Sequence, residues 1–128
     1  MVTEKLKLFP GELERRRAVA AIYDARLANH IDPQAFGPGC ESGYGLYTVA
    51  LDNRDAVQAK LKEDGVPTAI YYGQPLNEMK AFARYAPEGG LPESARLSGR
   101  VLSLPMHPYL TDDQAHYVAE RVIAALSS

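Results

Sequence analysis

The chain has 128 residues, a length that accommodates one domain with its own hydrophobic core. Hydrophobic residues make up 46% and charged residues 23%, a balance typical of folded globular proteins, so disordered and fibrous classes are excluded. The formal net charge of -2 provides no general attraction for nucleic acid or acidic lipid. No stretch approaches the roughly 18 apolar residues of a membrane span. We therefore expect neither a nucleic-acid partner nor a membrane.

The cysteine and histidine content argues against disulfides and metal sites. Cys40 is the only cysteine, so it cannot form an intramolecular disulfide, and the N-terminus lacks the apolar core of a signal peptide. Both features favour a cytoplasmic location. His30, His107 and His116 show none of the close spacings of a zinc site, so no bound metal is expected.

The first predicted element is a helix over residues 12–28, directly after Pro10 and Gly11. Apolar residues recur there at steps of three and four, which is typical of one buried helix face. The basic run Arg15–Arg17 lies mostly off that stripe and is interpreted as a solvated face. The segment 30–43 that follows has the composition of a loop, and its glycines do not match a phosphate-binding spacing.

A strand-helix-strand unit is predicted next. Aromatic and β-branched residues indicate a strand over Tyr44–Leu51, and a helix over residues 54–64 ends at Gly65. Thr68–Tyr72 is predicted as the second strand. A crossover this short favours a parallel arrangement if the two strands are neighbours in one sheet. The sequence does not show that they are neighbours, and the strand direction therefore stays open.

The rest of the chain predicts a short helix near residues 77–85, a helix that begins at Pro92, a strand over Val101–Leu104 and a final helix after the capping box Thr111–Gln114. Together these elements predict one α+β domain over residues 1–128. We expect a two-layer α/β sandwich with a small sheet of about three strands, packed by four to five helices.

Candidate ligand-binding groups follow two of the predicted strands. The turn Tyr71–Asn77 presents phenols and amides that can hydrogen-bond a hydroxylated ligand. The pattern alone favours another interpretation, in which Tyr71 and Tyr72 form the core and surface faces of one strand. His107 stands between two prolines after Val101–Leu104, but no partner carboxylate can be named, so a structural role is favoured.

The lysines predict that this chain forms no Schiff base. A Schiff-base lysine lies partly desolvated beside a cofactor pocket, usually at a strand end or in a tight loop. None of the five lysines has such a place in the predicted elements: Lys5, Lys7, Lys60, Lys62 and Lys80. We therefore expect no Schiff-base lysine among them.

Three runs in the sequence resemble successive motifs of the DegT/DnrJ/EryC1/StrS family of PLP-dependent sugar aminotransferases, which have the aspartate aminotransferase fold of type I. The runs are Leu8–Arg17 with Ala21–Tyr23, Ala69–Asn77, and Val101–Pro108. The resemblance covers only the smaller C-terminal lobe of that family. It implies that residues 1–10 are the remnant of the helix that links the two lobes.

The family has a loop of sequence His-Tyr-Pro-x-Pro-Leu-His that approaches the substrate, and this loop falls on Tyr71–Asn77. Its second, fifth and sixth positions match, whereas Tyr71 and Asn77 replace the two histidines and Gly73 replaces the first proline. The resemblance therefore implies a substrate-binding loop whose contacts are Tyr71, Tyr72, Gln74 and Asn77, with His107 as a further candidate.

The activity implied by the resemblance is transamination of a nucleotide-linked keto sugar for lipopolysaccharide or other polysaccharide biosynthesis. The resemblance also implies that the full-length enzyme is a homodimer. In that enzyme, PLP accepts an amino group from glutamate and delivers it to the sugar. The resemblance places the Schiff-base lysine and most cofactor contacts in the larger lobe. We therefore expect no catalytic and no cofactor-binding residue in this chain, and we expect the isolated chain to be inactive. The alternatives are a free-standing small-molecule-binding module and a dimerisation module.

Overall fold

The computed structural model describes all residues from Met1 to Ser128 and has an α+β architecture. Two 3-10 helices, Leu76–Glu78 and Ala83–Tyr85, accompany six longer elements. These are α1 (Val2–Leu27), β1 (Tyr47–Ala50), α2 (Arg54–Glu63), α3 (Pro92–Ser98), β2 (Val101–Leu104) and α4 (Asp112–Leu126). The predicted α+β class is confirmed.

Helix α1 is longer than the sequence predicts. It begins at Val2 and runs without interruption through Pro10, so the predicted start at residue 12 is wrong. A proline inside a helix removes one backbone donor, and the bonded turns on either side of Pro10 carry the helix past it. All four buried residues of α1 lie in its C-terminal half: Val19, Ala20, Tyr23 and Leu27. In the N-terminal half, Leu6 and Phe9 are exposed.

The sheet has two antiparallel strands. Tyr47 of β1 lies opposite Leu104 of β2, and Ala50 lies opposite Val101. The predicted strand Thr68–Tyr72 is wrong, because only Ala69 pairs, through two backbone hydrogen bonds with Ser103. Pro67 has no N–H to extend this pairing, and the chain turns at Tyr71. The expected third strand is thus reduced to a single bridge.

Helix α2 ends as the sequence predicts. The backbone N–H of Val66 donates to the Leu61 carbonyl at 2.8 Å, and that of Gly65 donates to the Lys62 carbonyl at 3.1 Å. This is a Schellman motif, and it requires a positive φ at Gly65, which is +75°. Val57 and Leu61 are fully buried. The motif directs the chain back toward the sheet at Val66.

The segment 71–99 contains no buried residue. The predicted helix near residues 77–85 is wrong, since the two 3-10 helices lie there instead. Without a face buried against the core, a short α-helix lacks the packing that stabilises helices in proteins. Helix α3 does begin at Pro92 as predicted.

Helix α4 packs against both α1 and α2 and closes the core. Its capping box is confirmed: the Thr111 side chain accepts from the backbone N–H of Gln114, and the Gln114 side chain accepts from the backbone N–H of Thr111. A single cluster of 19 buried hydrophobic residues joins α1, α2 and α4 to the sheet, with Leu102 and Val122 fully buried.

The run Arg15–Arg17 holds distant segments against α1. Arg15 donates to the Leu110 carbonyl at 2.7 Å, and Arg16 donates to the Tyr44 carbonyl at 3.0 Å. The interpretation of this run as a solvated face therefore leaves out these two bonds, although the Arg15 side chain is still 41% exposed and also forms an ion pair with Asp112. It holds for Arg17, which is exposed and forms an ion pair with an exposed glutamate. Backbone carbonyls far along the chain satisfy these two guanidinium groups.

Two tyrosines connect α1 to the sheet. The phenol of Tyr47 donates to the Asp24 carboxylate, and the phenol of Tyr23 donates to the Pro105 carbonyl at 2.7 Å. Their ring centroids lie 4.9 Å apart. Burial raises the pKa of both phenols, and the hydrogen bond to Asp24 raises the pKa of Tyr47 further. These phenols are protonated hydrogen-bond donors at neutral pH.

Candidate ligand site

A cavity of about 720 Å³ lies between α3 and the chain that follows the Ala69 bridge. We call it the loop cavity. One wall consists of residues 71–79, and the other consists of α3 with the residue before it. Its lining residues are Tyr71, Tyr72, Gln74, Pro75, Leu76, Asn77, Met79, Leu91, Ser94, Leu97, Ser98 and Val101.

The loop cavity brings together the four residues that the family loop implies as substrate contacts: Tyr71, Tyr72, Gln74 and Asn77. The ring of Tyr71 is 47% exposed and that of Tyr72 is 77% exposed, so neither belongs to the core. The two ring centroids are 6.1 Å apart and the ring planes are inclined at 76°. The alternative, in which one of these tyrosines forms the core face of a strand, is wrong.

The amides in this wall differ in their bonding. The Gln74 side-chain nitrogen donates to the Glu78 carbonyl at 3.1 Å and so ties the turn to the first 3-10 helix. The Asn77 side-chain oxygen is buried and has no hydrogen-bond partner. Buried polar atoms are normally paired, so an unpaired one marks a place where a further donor would be stabilising.

His107 lies in a different cavity of about 750 Å³, between the start of α4 and the Ala69 bridge. We call it the α4 cavity. Asp113 lines it as well, but forms no ion pair with His107. Tyr71 is the only residue that lines both cavities. His107 therefore does not join the four loop residues in the loop cavity.

The sequence did not point to the α3 wall. Leu91, Ser94 and Ser98 follow a spacing of three and four residues, which places them on one face. That face lines the loop cavity. The periodicity was visible in the sequence, but nothing in the sequence placed this face opposite residues 71–79.

Neither cavity offers an amine for covalent attachment of PLP, since no lysine lines the loop cavity or the α4 cavity. The residues that line these two cavities therefore do not fit a Schiff-base site. No three His, Cys, Asp or Glu side chains come close enough to hold a metal ion. No helix combines the length and the apolar character that a bilayer crossing requires.

Comparison with known sequences identifies relatives over most of the chain. The sequence model of the DegT/DnrJ/EryC1/StrS aminotransferase family matches residues 1–123. The UDP-2-acetamido-2-deoxy-3-oxo-D-glucuronate aminotransferase of Pseudomonas aeruginosa is 44% identical over 107 residues, which are 83% of this chain and 29% of that enzyme. The UDP-N-acetyl-3-dehydro-alpha-D-glucosamine 3-aminotransferase of Acidithiobacillus ferrooxidans is 37% identical, and the match covers 81% of this chain and 28% of that enzyme.

Solved structures share the fold. The crystal structure of DesV from S. venezuelae in complex with a ketimine intermediate matches 98% of this chain with a TM-score of 0.93 and 31% identity. An aminotransferase from Brucella abortus matches 95% with a TM-score of 0.89 and 34% identity. The chain spans 35% and 33% of these two proteins, about a third of each. From residue 1 to residue 123, the chain belongs to the DegT/DnrJ/EryC1/StrS aminotransferase family.

Proposed function

We propose that this chain is the C-terminal, substrate-side lobe of an aminotransferase that aminates a keto group of a nucleotide-linked sugar. The observation that carries the proposal is the family match over residues 1–123 of a chain that spans 29% of its 44% identical relative. The absence of a lysine from both the loop cavity and the α4 cavity is consistent with PLP attachment by another lobe of the enzyme. The Schiff-base lysine then belongs to a larger lobe, and residues 1–10 belong to the helix between the lobes.

In this proposal the loop cavity receives part of the sugar substrate. Tyr71, Tyr72, Gln74 and Asn77 supply neutral hydrogen-bonding groups that bind and orient hydroxyl groups. His107 is a less direct candidate, since it lines the neighbouring α4 cavity. The chain itself supplies no group that takes part in the amino transfer.

The complete enzyme carries PLP, which supplies the electron sink for transamination. We further propose glutamate as the amino donor, a homodimer as the assembled form, and the cytoplasm as the location. The single exposed cysteine supports the location, because a reducing compartment keeps such a thiol free. We also propose that the sugar products serve lipopolysaccharide or other polysaccharide synthesis, and the relatives named for UDP-linked sugars support a nucleotide-linked sugar as the substrate class.

A hybrid enzyme tests this assignment. The matched third of the Pseudomonas aeruginosa relative is replaced by this chain, and amino transfer to that relative's keto sugar is measured. We expect measurable turnover, because the two sequences are 44% identical over the exchanged region. A hybrid that folds and binds PLP but transfers no amino group would contradict the proposal.

The isolated chain provides the complementary measurement. Mixed with PLP, it should show no absorbance of an internal aldimine and no amino transfer, since neither the loop cavity nor the α4 cavity is lined by a lysine. Covalent PLP binding with turnover by this chain alone would show that the lobe assignment is wrong.

A further inference from the structure

Few polar contacts join residues 71–99 to the rest of the molecule. Their hydrogen bonds connect neighbours within the segment, apart from one with Arg100 directly after it and one with a residue far away in the chain. The distant partner is Arg54, whose Nη1 donates to the Ser98 carbonyl at 3.1 Å. The one ion pair of the segment, between Glu93 and Arg96, is internal to α3. Arg54 is therefore the polar link between this segment and the distant elements.

Three elements meet at the Arg54 side chain. Arg54 is the first residue of α2, Ser98 is the last residue of α3, and Val101 is the first residue of β2. The Arg54 Nη1 also donates to the Val101 carbonyl at 3.2 Å, so one nitrogen binds both the end of α3 and the start of β2. The last carbonyls of a helix have no partner within it, and a cationic donor is favourable there.

The position of Arg54 is unfavourable for α2 itself. A positive charge in the first turn of a helix lies at the positive end of the helix dipole. The Arg54 side chain is only 11% exposed, and burying a charged group is costly unless hydrogen bonds compensate for it. Its ion-pair partner Asp55 is 85% exposed, and an exposed carboxylate contributes little. The bonds to Ser98 and Val101 therefore account for a buried arginine at this position.

Both acceptor residues line the loop cavity, whereas Arg54 does not. Ser98 belongs to the α3 wall, and Val101 follows it after two residues. Helix α3 contributes no residue to the core, so burial in the core does not fix its position. The hydrogen bond from Arg54 therefore fixes the α3 wall from outside the cavity.

We propose that Arg54 is a positioning residue for the loop cavity. Its two hydrogen bonds hold α3 against the start of β2 and so set the distance between α3 and residues 71–79, while Arg54 itself makes no contact with a ligand. This inference rests on the proposed function, in which part of the substrate enters the loop cavity. It adds a residue outside the cavity on which the shape of that site depends.

NMR relaxation of the backbone amides of the 128-residue chain measures the order of α3 directly. Arg54→Met keeps an unbranched apolar side chain beside α2 but removes every donor. We expect the heteronuclear NOE of residues 92–98 to fall in this variant, while that of α4 is unchanged. Arg54→Lys keeps a cationic donor and should retain more of the order of α3 than Arg54→Met does. Equal order of α3 in Arg54→Met and in the original chain would overturn the proposal.

The signals of α4 report whether the variant is folded. A loss of order in α4 together with α3 would show that Arg54 stabilises the whole domain, and it would contradict a role confined to the cavity wall. Asp55→Asn is the matched control, because it removes the charge of the ion-pair partner and neither carbonyl bond. It should leave the order of α3 unchanged. A loss as large as that of Arg54→Met would assign the effect to the ion pair and refute the proposal.

The hybrid enzyme shows whether this positioning affects substrate binding. Arg54→Met in the hybrid should raise the KM for the keto sugar by about tenfold, the equivalent of one hydrogen bond to a charged group. It should change kcat by less than about twofold, because Arg54 contacts no reacting group. A merely structural defect would instead reduce the amount of active enzyme, and so lower kcat at an unchanged KM. That result would overturn the proposal.

The relaxation measurement requires no PLP and no turnover, so it is independent of the activity of the hybrid. An inactive hybrid would reject the proposed function, and the order of α3 would still decide whether Arg54 positions that helix. An active hybrid in which Arg54→Met alters neither the order of α3 nor the KM would reject only the present inference.

Discussion

Residues that look alike in the sequence have different roles in the structure, and Arg15–Arg17 show this most clearly. Arg15 donates to a carbonyl of the segment before α4 and pairs with Asp112, and Arg16 donates to the carbonyl of Tyr44, whereas Arg17 forms only an exposed ion pair. The sequence predicts only that the run lies off the apolar stripe. It could not show the acceptors, because those of Arg15 and Arg16 lie 95 and 28 residues away.

Arg15 and Arg17 provide a matched pair for mutagenesis. Arg15→Ala should lower the free energy of unfolding by about 1–2 kcal/mol, since it leaves the Leu110 carbonyl without its charged donor. Arg17→Ala should change that free energy by less than about 0.5 kcal/mol, because its ion pair is exposed. Urea denaturation of both variants measures the difference, and equal losses would refute it.

The paired phenols of Tyr23 and Tyr47 predict a pH dependence. Burial raises the pKa of both in the folded chain, so the unfolded chain loses these protons at lower pH. Their contribution to stability is complete below the ordinary tyrosine pKa of about 10 and declines as the pH rises above it. Denaturation midpoints measured from about pH 8 to about pH 11 should therefore fall at the alkaline end.

The double variant Tyr23→Phe/Tyr47→Phe is the control for this effect. It removes both phenols whose pKa is raised, so its stability should decline less steeply as the pH rises. The variant starts from lower stability, because the hydrogen bonds to Pro105 and Asp24 are lost. A decline as steep as that of the original chain would mean that other groups cause the pH dependence.

At the scale of elements, the sequence predicts correctly where the signals are local. The capping box of α4 lies within four residues, and the end of α2 is marked by Gly65 alone. The third strand and the start of α1 were wrong for the opposite reason. Strand pairing at Ala69 depends on a partner 34 residues away in the chain, and the helix across Pro10 depends on the turns on both sides.

Thr111 is the N-cap residue of α4 and Asn53 is that of α2, so substituting each of them measures the capping interaction. Thr111→Ala should lower the free energy of unfolding by about 1 kcal/mol, because the Gln114 N–H loses its acceptor. Asn53 occupies the same position in α2 but makes no side-chain capping bond, so Asn53→Ala should have little effect. Chemical denaturation compares the two variants, and similar losses would show that cap geometry is not the cause.

For the whole molecule, burial divides the chain into a packed body and stretches without a buried residue, of which the longest includes residues 71–99. The core joins α1, α2, α4 and the sheet, whereas residues 71–99 contribute nothing to it. The sequence predicts most of the body, because apolar periodicity reports burial. It predicts the loop residues of the candidate site only through a family resemblance, and it leaves the α3 wall unassigned, since the apposition of two unburied segments has no periodic signature.

This division predicts the pattern of amide hydrogen exchange. Residues 71–99 should exchange faster than the core helices, because few apolar contacts oppose their local opening. The central amides of α4, which lie in the core, should exchange slowest. Exchange measured by NMR on the isolated chain gives both rates. Protection in residues 76–85 equal to that in α4 would mean that the segment opens only with global unfolding.

Helix α1 has a mechanical consequence at the boundary between its exposed and buried halves. Pro10 lies at that boundary and leaves the Leu6 carbonyl without its helical donor, and Gly11 follows it. The nine residues from Val2 to Pro10 extend for about 13 Å at about 1.5 Å per residue. Because Pro10 removes one helical hydrogen bond and Gly11 has no side chain, we expect any bend of α1 to occur at Pro10–Gly11, and such a bend would redirect the segment that carries Leu6 and Phe9.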